Sequence, residues 1–298
     1  MVRPVRTRPG RFPVAFVLML CLVWTSACRS ESRRSPTSAE HSVPGPVPVA
    51  STTVPAESAG PRWSPAPGEA WQWQLSGLPI DESVDVPTLD LDLFDTTPAT
   101  IERLHRAGRR VICYVSVGTV EPQRPDSADF APEVIGQPLS DYPDERWLDI
   151  RQLDKLAPLL GARLDLCRSK GFDAVEADNV DAFANNSGFA LTPDDQLVFN
   201  RFVARAAHER GLSVGLKNDL DQIPALVADF DWALNEECVQ FNECEAYRPF
   251  LDAGKAVLHV EYQGSLNEIC AVAGVLGGRS SMIKNKTLDA SRKPCPRR

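Results

Sequence analysis

A short pattern recurs along the chain from residue 105 onward and restricts the fold more than any other feature. Each copy has a stretch with helical spacing of apolar residues, then a glycine, then a short apolar strand with a polar end: HRAG-RRVICYVSVG, RSKG-FDAVEADN, HERG-LSVGLKND and DAG-KAVLHVEYQ. Gly108, Gly171, Gly211 and Gly254 fit the position just beyond a helix, where a residue with positive φ ends the helix. The pattern therefore predicts helices that alternate with strands.

Eight apolar segments fit strands of this kind, and they lie at 71–75, 89–94, 111–117, 173–178, 213–218, 231–236, 256–262 and 281–285. Thr192-Pro193-Asp194-Asp195 adds a clear helix start, with an N-cap, a proline at the first helical position and acids at the positive end of the helix dipole. Eight strands alternating with helices predict an α/β fold, a single-domain (β/α)8 TIM-type barrel over residues 70–298. A doubly wound sheet is the alternative, but the chain lacks the GxGxxG or GxxxxGKS/T loop that such sheets usually carry.

The N-terminal segment has the layout of a secretory signal. Four arginines and no acid precede the apolar run from Val14 to Trp24, which is short for a membrane span. Thr25-Ser26-Ala27-Cys28 resembles a bacterial lipobox, although Thr25 stands where a lipobox usually has Leu. We predict a signal peptide over residues 1–27, of lipoprotein type with lipidation at Cys28. Ordinary cleavage after Ala27 is the alternative.

Residues 28–69 are rich in Pro, Ser and Ala and contain PGPVPVA and PRWSPAPG. Such a segment buries too little apolar surface to offset its ordering entropy, so we predict a disordered linker. This linker would hold a domain away from a membrane. The expected location is extracytoplasmic, on a lipid anchor at Cys28 or, without the anchor, as a secreted protein.

Six cysteines follow Cys28, and an even number in an exported chain predicts disulfides. Cys238 and Cys244 are spaced to close one loop, and Cys270 with Cys295 would tie down the C-terminus. The other two, Cys113 and Cys167, either pair or serve as small buried hydrophobic residues. A zinc site is disfavoured because the chain has no CxxC motif and only four histidines.

The predicted barrel is acidic. From residue 70 onward 24 Lys and Arg stand against 36 Asp and Glu, so its net charge is near −12, compared with −8 for the whole chain. A nucleic-acid-binding protein needs a basic face to neutralise phosphates, so we expect no nucleic-acid partner. An acidic balance suits a cationic partner instead.

Polar residues collect at the carboxyl ends of the predicted strands, where TIM-type barrels have their active sites. Sugar hydrolysis requires carboxylates there, because one acid protonates the leaving oxygen and one carboxylate attacks or activates water. In DAVEAD, Glu176 and Asp178 share one face, with Asp178 nearer the strand end. We expect Asp178 and Glu236, from the fourth and sixth strands, to form a catalytic pair. Glu176 with Glu261 is the rival pair, and a cap or a salt bridge with lysine is the structural alternative for either acid.

Six segments together resemble glycoside hydrolase family 114, the endo-α-1,4-polygalactosaminidases: WQWQLSG, DLFDT, VICYVSVGTVE, GFDAVEADNVDAF, GLKND and NEECVQFNEC. They occur in order at successive predicted strands, and the resemblance covers roughly residues 70–295. It implies a (β/α)8 barrel that acts on an α-1,4-linked galactosamine-containing polysaccharide. The family's catalytic Asp matches Asp178 and its catalytic Glu matches Glu236. A retaining reaction, as implied by the family, would make Asp178 the nucleophile and Glu236 the acid/base.

The same strand ends supply the predicted substrate-binding residues, which are Trp73, Asp95, Tyr114, Asn179, Asp181, Lys217, Asn218, Glu261 and Tyr262. Trp73 and Tyr114 would stack on sugar rings or simply close the barrel. Lys217 would pair with a catalytic carboxylate or bind a sugar hydroxyl, and a Schiff-base lysine of an aldolase is the alternative. We expect neither a cofactor nor a metal, because Asp178, Asn179 and Asp181 are too few ligands for calcium.

The sequence thus predicts an exported glycosidase that cleaves internal bonds of a cationic or partly deacetylated amino-sugar polysaccharide. One alternative is a catalytically silent carbohydrate-binding barrel. Another is a barrel hydrolase that acts on a different polysaccharide, because sugar specificity resides in loops that the pattern does not describe.

Overall fold

The structure is a computed structural model that describes residues 62–277 and 280–296. The predicted signal peptide, the lipidation site Cys28 and the linker up to residue 61 lie outside the described residues. The end of the predicted linker, residues 62–69, lies against the barrel. There Arg62 forms an ion pair with Asp231 at 3.6 Å, and Trp63 packs on apolar residues of the barrel interior.

Eight parallel strands form the barrel, and each coincides with a predicted strand. They are β1 (Trp71–Gln74), β2 (Thr88–Asp92), β3 (Arg110–Ser116), β7 (Ala174–Asp178), β8 (Ser213–Lys217), β9 (Trp232–Glu236), β10 (Val257–Glu261) and β11 (Ser281–Lys284). Each strand pairs with its neighbour in this order, which confirms the TIM-type (β/α)8 fold.

The barrel closes through a seam rather than through an eighth parallel pairing. A short strand, β12 (Arg292–Pro294), runs antiparallel to β11. On its far side the Arg292 guanidinium donates to the Trp71 carbonyl at 2.9 Å, and the Gln72 amide donates to the Ala290 carbonyl at 2.8 Å. The seam therefore joins the first strand to residues near the C-terminus.

In the described part of the chain six helices cover the barrel: α1 (Pro98–Arg106), α2 (Leu153–Lys170), α3 (Pro193–Glu209), α4 (Ile223–Leu226), α5 (Arg248–Asp252) and α6 (Leu266–Val272). The predicted start of α3 is confirmed, because Thr192 and Asp195 form a reciprocal capping box and Pro193 is the first helical residue. Gly171 ends α2 with φ of 101°, which only glycine adopts readily. Among the described helices, none has the length and apolar character needed to span a bilayer.

An inserted sheet between β3 and α2 was not predicted. It consists of β4 (Thr119–Val120), β5 (Ile135–Pro138) and β6 (Arg146–Leu148), with β6 antiparallel to both neighbours. These strands have only two to four residues and include Gly136 and Pro138. They therefore show no alternation of apolar and polar residues that a sequence pattern could detect.

Strand alternation separates two apolar layers. Trp71, Trp73 and Leu234 belong to a cluster inside the barrel, whereas Val175 and Ala177 belong to a larger cluster between strands and helices. The inward positions at the strand ends are polar, so the interior changes from apolar to charged along the barrel axis.

Three disulfides hold the described residues together. The predicted pairs Cys238–Cys244 and Cys270–Cys295 are confirmed. Cys113 of β3 pairs with Cys167 of α2, which settles the alternative left open for these two residues.

Candidate active site

A cavity of about 520 Å³ opens at the carboxyl ends of the parallel strands. Its lining includes Trp73, Leu75, Asp92, Tyr114, Glu121, Gln123, Arg124, Asp141, Tyr142, Pro143, Asp144, Glu145, Asp178, Lys217, Glu236, Lys286, Thr287 and Leu288. Its position is that of the active site in TIM-type barrels, and its size suits a small ligand or a part of a polymer.

Lys217, the last residue of β8, lies at the centre of the site. Its Nζ is 2.8 Å from Glu176 Oε1, 3.0 Å from Asp178 Oδ1 and 3.5 Å from Glu236 Oε2. The ammonium also lies 4.7 Å from the centre of the Trp73 ring, within range of a cation–π interaction. Burial alone would lower the pKa of Lys217, but the three carboxylates outweigh it and raise that pKa well above its ordinary value. Lys217 is therefore a fixed cation that a Schiff-base mechanism could not use as a free amine.

Asp178 is held by groups on three sides. Tyr114 Oη donates to its Oδ2 at 3.0 Å, and the Asn179 amide N–H donates to its Oδ1 at 2.8 Å. Asn179 has φ of 63° and is fixed by its side chain, which donates to Ser116 Oγ at 3.0 Å. A Cβ added at Gly118 would lie 1.7 Å from the Asn179 carbonyl oxygen, so only glycine fits beside this turn. The backbone therefore fixes the direction of the Asp178 carboxylate.

Glu236 ends β9 and faces the same ammonium. The Tyr262 hydroxyl donates to Glu236 Oε1, and the Glu236 backbone N–H donates to Asn218 Oδ1 at 3.0 Å. Burial would raise the pKa of Glu236, but Lys217 and the Tyr262 hydroxyl favour its ionised form and lower that pKa. In the absence of a ligand, Glu236 is thus an ionised carboxylate beside a cation.

A buried floor lies beneath these two acids; it consists of Asp90, Glu176 and Lys217. All three side chains are inside the barrel and almost fully buried. Burial raises the pKa of Glu176 to about 7 and that of Asp90 well above its ordinary range. The floor thus contains more carboxyl groups than its one ammonium can neutralise.

The inserted segment forms one side of the cavity. We call its cavity-lining residues the wall; they are Glu121, Gln123, Arg124, Asp141, Tyr142, Pro143, Asp144 and Glu145. In it Arg124 binds Glu121 at 2.8 Å and Asp92 at 2.6 Å. Glu145 instead accepts from Thr119 Oγ1 at 2.8 Å, and no cation of the described residues lies within 4.0 Å of it. Burial and the nearby Glu121 and Asp178 raise the pKa of Glu145 to about 8.

The predicted site residues fall into three groups. Those that line the cavity are Asp178, Glu236, Trp73, Tyr114 and Lys217. Those that support the lining residues are Asn179, Asn218 and Tyr262. Those that the structure does not bring to the cavity lining are Asp95, Asp181 and Glu261.

The last group shows that a position at a strand end does not by itself place a side chain in the cavity. The Asp95 side chain is 55% exposed and only approaches Arg124 at 4.0 Å, whereas Asp92 lines the cavity in its place. Glu261 faces the outside of the strand layer, where it binds His259 and the Val239 N–H, both at 2.8 Å. Glu176 and Glu261 therefore do not face each other, and the structure gives no support to the rival pair.

The wall residues and the segment Lys286–Leu288 were missed by the sequence reasoning. The run Asp141-Tyr142-Pro143-Asp144-Glu145 does combine acids with an aromatic residue. That composition was the available signal, but it follows no predicted strand end.

The described residues contain one group of three side chains that could hold a metal ion, namely Cys238, Cys244 and His259. The two cysteines form a disulfide, so their sulfurs are not thiolate ligands in this structure. His259 binds Glu261. This group therefore has a structural role.

Comparisons with known proteins agree with the barrel fold. The model of glycoside-hydrolase family GH114 matches residues 52–298. Ega3 from Aspergillus fumigatus, solved in complex with galactosamine, is 40% identical, with a TM-score of 0.76 over 80% of this chain and 99% of Ega3. The glycoside hydrolase domain of PelA from Pseudomonas aeruginosa is 16% identical, with a TM-score of 0.57 over 76% of this chain and 97% of that domain, which supports the fold alone.

No curated protein is significantly similar in sequence. The chain belongs to glycoside-hydrolase family GH114 and is a glycosidase, as its motifs predicted.

Proposed function

We propose that the protein is an exported endo-glycosidase that cleaves internal α-1,4 bonds of a galactosamine-containing polysaccharide with retention of configuration. The observation that carries the proposal is the placement of Asp178 and Glu236 on either side of Lys217 in an open cavity. The 40% identity to Ega3, which was crystallised with galactosamine, supports the choice of sugar.

The spacing of the two acids supports a retaining mechanism. Because Lys217 Nζ is 3.0 Å from Asp178 Oδ1 and 3.5 Å from Glu236 Oε2, these oxygens are at most about 6.5 Å apart. Retaining pairs lie about 5–5.5 Å apart, whereas inverting pairs need about 6.5–9.5 Å to admit a water molecule. The contact of both acids with one ammonium is compatible with the retaining spacing, and together with the family match it supports direct attack by one carboxylate.

In the first step Asp178 attacks the anomeric carbon, and Glu236, which takes up a proton from solvent as the substrate binds, gives that proton to the departing glycosidic oxygen. The bond from carbon to that oxygen breaks as the bond to Asp178 forms. In the second step Glu236 takes a proton from water, whose oxygen displaces Asp178 from the sugar. Tyr114 and the Asn179 N–H keep the attacking carboxylate in place throughout.

The cavity lining favours a cationic polymer. Its carboxyl groups are Asp92, Glu121, Asp141, Asp144, Glu145, Asp178 and Glu236, against three cations, Arg124, Lys217 and Lys286. The excess of negative charge attracts ammonium groups into a cleft with low-dielectric walls. A polymer with free amino groups therefore suits this site better than its fully N-acetylated form.

Export is proposed on separate grounds. Three disulfides within one barrel are typical of a protein that folds in an oxidising compartment. The predicted signal peptide over residues 1–27 and the lipid anchor at Cys28 would bring the barrel there. Labelling of the expressed protein with a radioactive fatty acid, beside Cys28→Ser, tests the anchor, because only the unmodified sequence should incorporate the label.

The reaction is tested by incubating the purified protein with partially deacetylated α-1,4-galactosaminan and measuring new reducing ends. We expect release by the wild type and loss of release in Asp178→Asn and Glu236→Gln. Asp95→Asn is the matched control, because it changes the same kind of strand-end carboxylate outside the cavity and should keep full activity. Equal activity in all four proteins would contradict the assignment of the site.

Azide separates the roles of the two acids. Azide should restore turnover of Asp178→Gly as a β-glycosyl azide, because it then replaces the nucleophile in a single displacement. With Glu236→Gly it should give an α-glycosyl azide, because it then replaces water in the second step. The opposite pair of products would exchange the two roles.

A catalytically silent carbohydrate-binding barrel is the second candidate. Binding of the polymer without release of reducing ends would support it. Release from a different amino-sugar polymer, but not from galactosaminan, would keep the enzyme and change its substrate.

A further inference from the structure

Asp90 lies inside the barrel two residues before Asp92, which lines the cavity, and is therefore one layer deeper. Its side chain is inaccessible to solvent, and no N–H or hydroxyl donor of the described residues reaches either carboxylate oxygen. Its hydrogen-bonding neighbour is another carboxyl group, that of Glu176. The proposed reaction uses neither residue directly.

Two carboxyl groups that contact each other away from water cannot both be ionised, so a proton must lie between them. Glu176 Oε1 already accepts from Lys217 at 2.8 Å, and Glu176 Oε2 has no donor among nitrogens and hydroxyls of the described residues. Glu176 is thus the ionised partner, because it is the one paired with an ammonium. Asp90 is the acid that donates, and burial raises its pKa in the same direction.

We propose that Asp90 is a buried, protonated carboxylic acid whose proton fixes Glu176 and, through Glu176 and Lys217, positions the catalytic carboxylates. The chain of contacts runs from Asp90 to Glu176, from Glu176 to Lys217 at 2.8 Å, and from Lys217 to Asp178 at 3.0 Å and Glu236 at 3.5 Å. Asp90 is a positioning residue in this arrangement. Its effect on turnover rests on the proposed roles of Asp178 and Glu236.

The direction of the effect follows from charge. Without a donor, Glu176 loses the hydrogen bond that stabilises its ionised form, and it takes up a proton near neutral pH. Lys217 is then shared by Asp178 and Glu236 alone, which favours the ionised form of Glu236 and lowers its pKa further. The activity profile should therefore shift towards acid pH.

Two variants of similar size test this. Asp90→Leu has no donor, and we expect kcat to fall about 10- to 100-fold with an acid shift of the kcat/KM profile, because the reacting groups lose their alignment. Asp90→Asn keeps an N–H that can donate to Glu176, and it should recover most of the activity with the wild-type profile. The proposal is overturned if Asn is as impaired as Leu, or if Leu keeps the wild-type kcat and profile.

A second measurement needs no substrate and no active variant. The infrared spectrum of wild type minus that of Asp90→Asn, recorded at neutral pH, should contain the carbonyl band of a protonated carboxylic acid. The spectrum of wild type minus that of Asp95→Asn should lack this band. A carboxylate band in place of the acid band would overturn the proposal even if Asp90→Leu does not fold. Because this readout is independent of turnover, it also separates failure of this proposal from failure of the proposed function.

Discussion

The floor and the wall of the cavity show two ways of placing carboxyl groups around a substrate. In the floor, Asp90, Glu176 and Lys217 come from adjacent or nearby strands, and each carboxyl group has a buried partner. In the wall, Glu145 comes from the inserted segment and accepts from Thr119 without a cation within 4.0 Å in the described residues. The floor therefore stabilises a fixed geometry, whereas the wall keeps a carboxyl group that an ammonium group of a ligand can pair with.

The largest effect is expected from removal of the floor cation. Lys217→Met leaves Glu176, Asp178 and Glu236 without the ammonium they share, and uncompensated buried charge costs about 3–5 kcal/mol of unfolding free energy. We expect no measurable turnover and a lower denaturation midpoint in urea. Lys286→Met is the control at the rim, because Lys286 is exposed and its stability should change by no more than about 0.5 kcal/mol. Similar losses in both variants would remove the distinction between floor and rim.

A second variant tests whether the turn that connects the inserted sheet to Asp178 fixes the position of that acid. Gly118→Ala places a Cβ 1.7 Å from the Asn179 carbonyl oxygen, so the turn after Asp178 must move. Gly118 also accepts from the Leu148 N–H of the inserted sheet at 2.9 Å. We expect kcat to fall about 100-fold, because a displacement near 1 Å is enough to misalign a reacting group. Unchanged kcat would mean that the turn adapts without moving Asp178.

The wall itself is tested by Glu145→Gln. The pKa of Glu145 is raised to about 8 in the folded protein. Glu145 therefore lowers the free energy of unfolding progressively as the pH rises from its pKa in the unfolded chain to about 8. Glutamine removes this penalty, and we expect the variant to be more stable than wild type by roughly 1–3 kcal/mol at pH 8 and equal to it in acid, after allowance for partial solvent access.

The same variant should bind the substrate less well. We expect a several-fold higher KM on the deacetylated polymer and little change in kcat, because an ammonium partner is lost before and during the reaction alike. Thermal unfolding at two pH values and steady-state kinetics provide both readouts. Asp144→Asn, the exposed neighbour, is the control, and equal behaviour of the two variants would contradict a special role for Glu145.

The smallest effect is expected at Tyr262, which donates to Glu236 at the rim of the cavity. Tyr262→Phe removes a donor to the ionised form, so the pKa of Glu236 rises. Because the first step needs protonated Glu236, the basic limb of kcat/KM should move to higher pH by about half to one unit. A pH–rate profile measures this, and a downward shift would contradict the acid/base role.

The contrast between floor and wall also explains what the sequence could predict. Period-two alternation places Asp178 and Lys217 on inward faces, and the apolar segments located all eight parallel strands. The same alternation, applied strictly, puts Glu261 on the face opposite Val260, which packs inside the barrel. Its assignment to substrate relied on position along the strand and ignored this face.

Other features of the site leave no periodic pattern of apolar and polar residues in the sequence. Whether Asp92 or Asp95 lines the cavity depends on where β2 ends, and boundaries are set by three-dimensional contacts such as the ion pair with Arg124. The wall belongs to short strands and turns whose placement depends on contacts distant in sequence. The proton between Asp90 and Glu176 depends on burial, which no motif records.

The seam between β1 and the C-terminal residues has a consequence for the biosynthesis of the protein. Across the seam, Trp71 and Gln72 bind Arg292 and Ala290, which follow them by more than 200 residues in the chain. The first strand therefore waits for a segment that is synthesised much later, and barrel closure is a late step of folding. This order of events suits a polypeptide that is proposed to be translocated before it folds, and the Cys270–Cys295 bridge then fastens the C-terminus after closure.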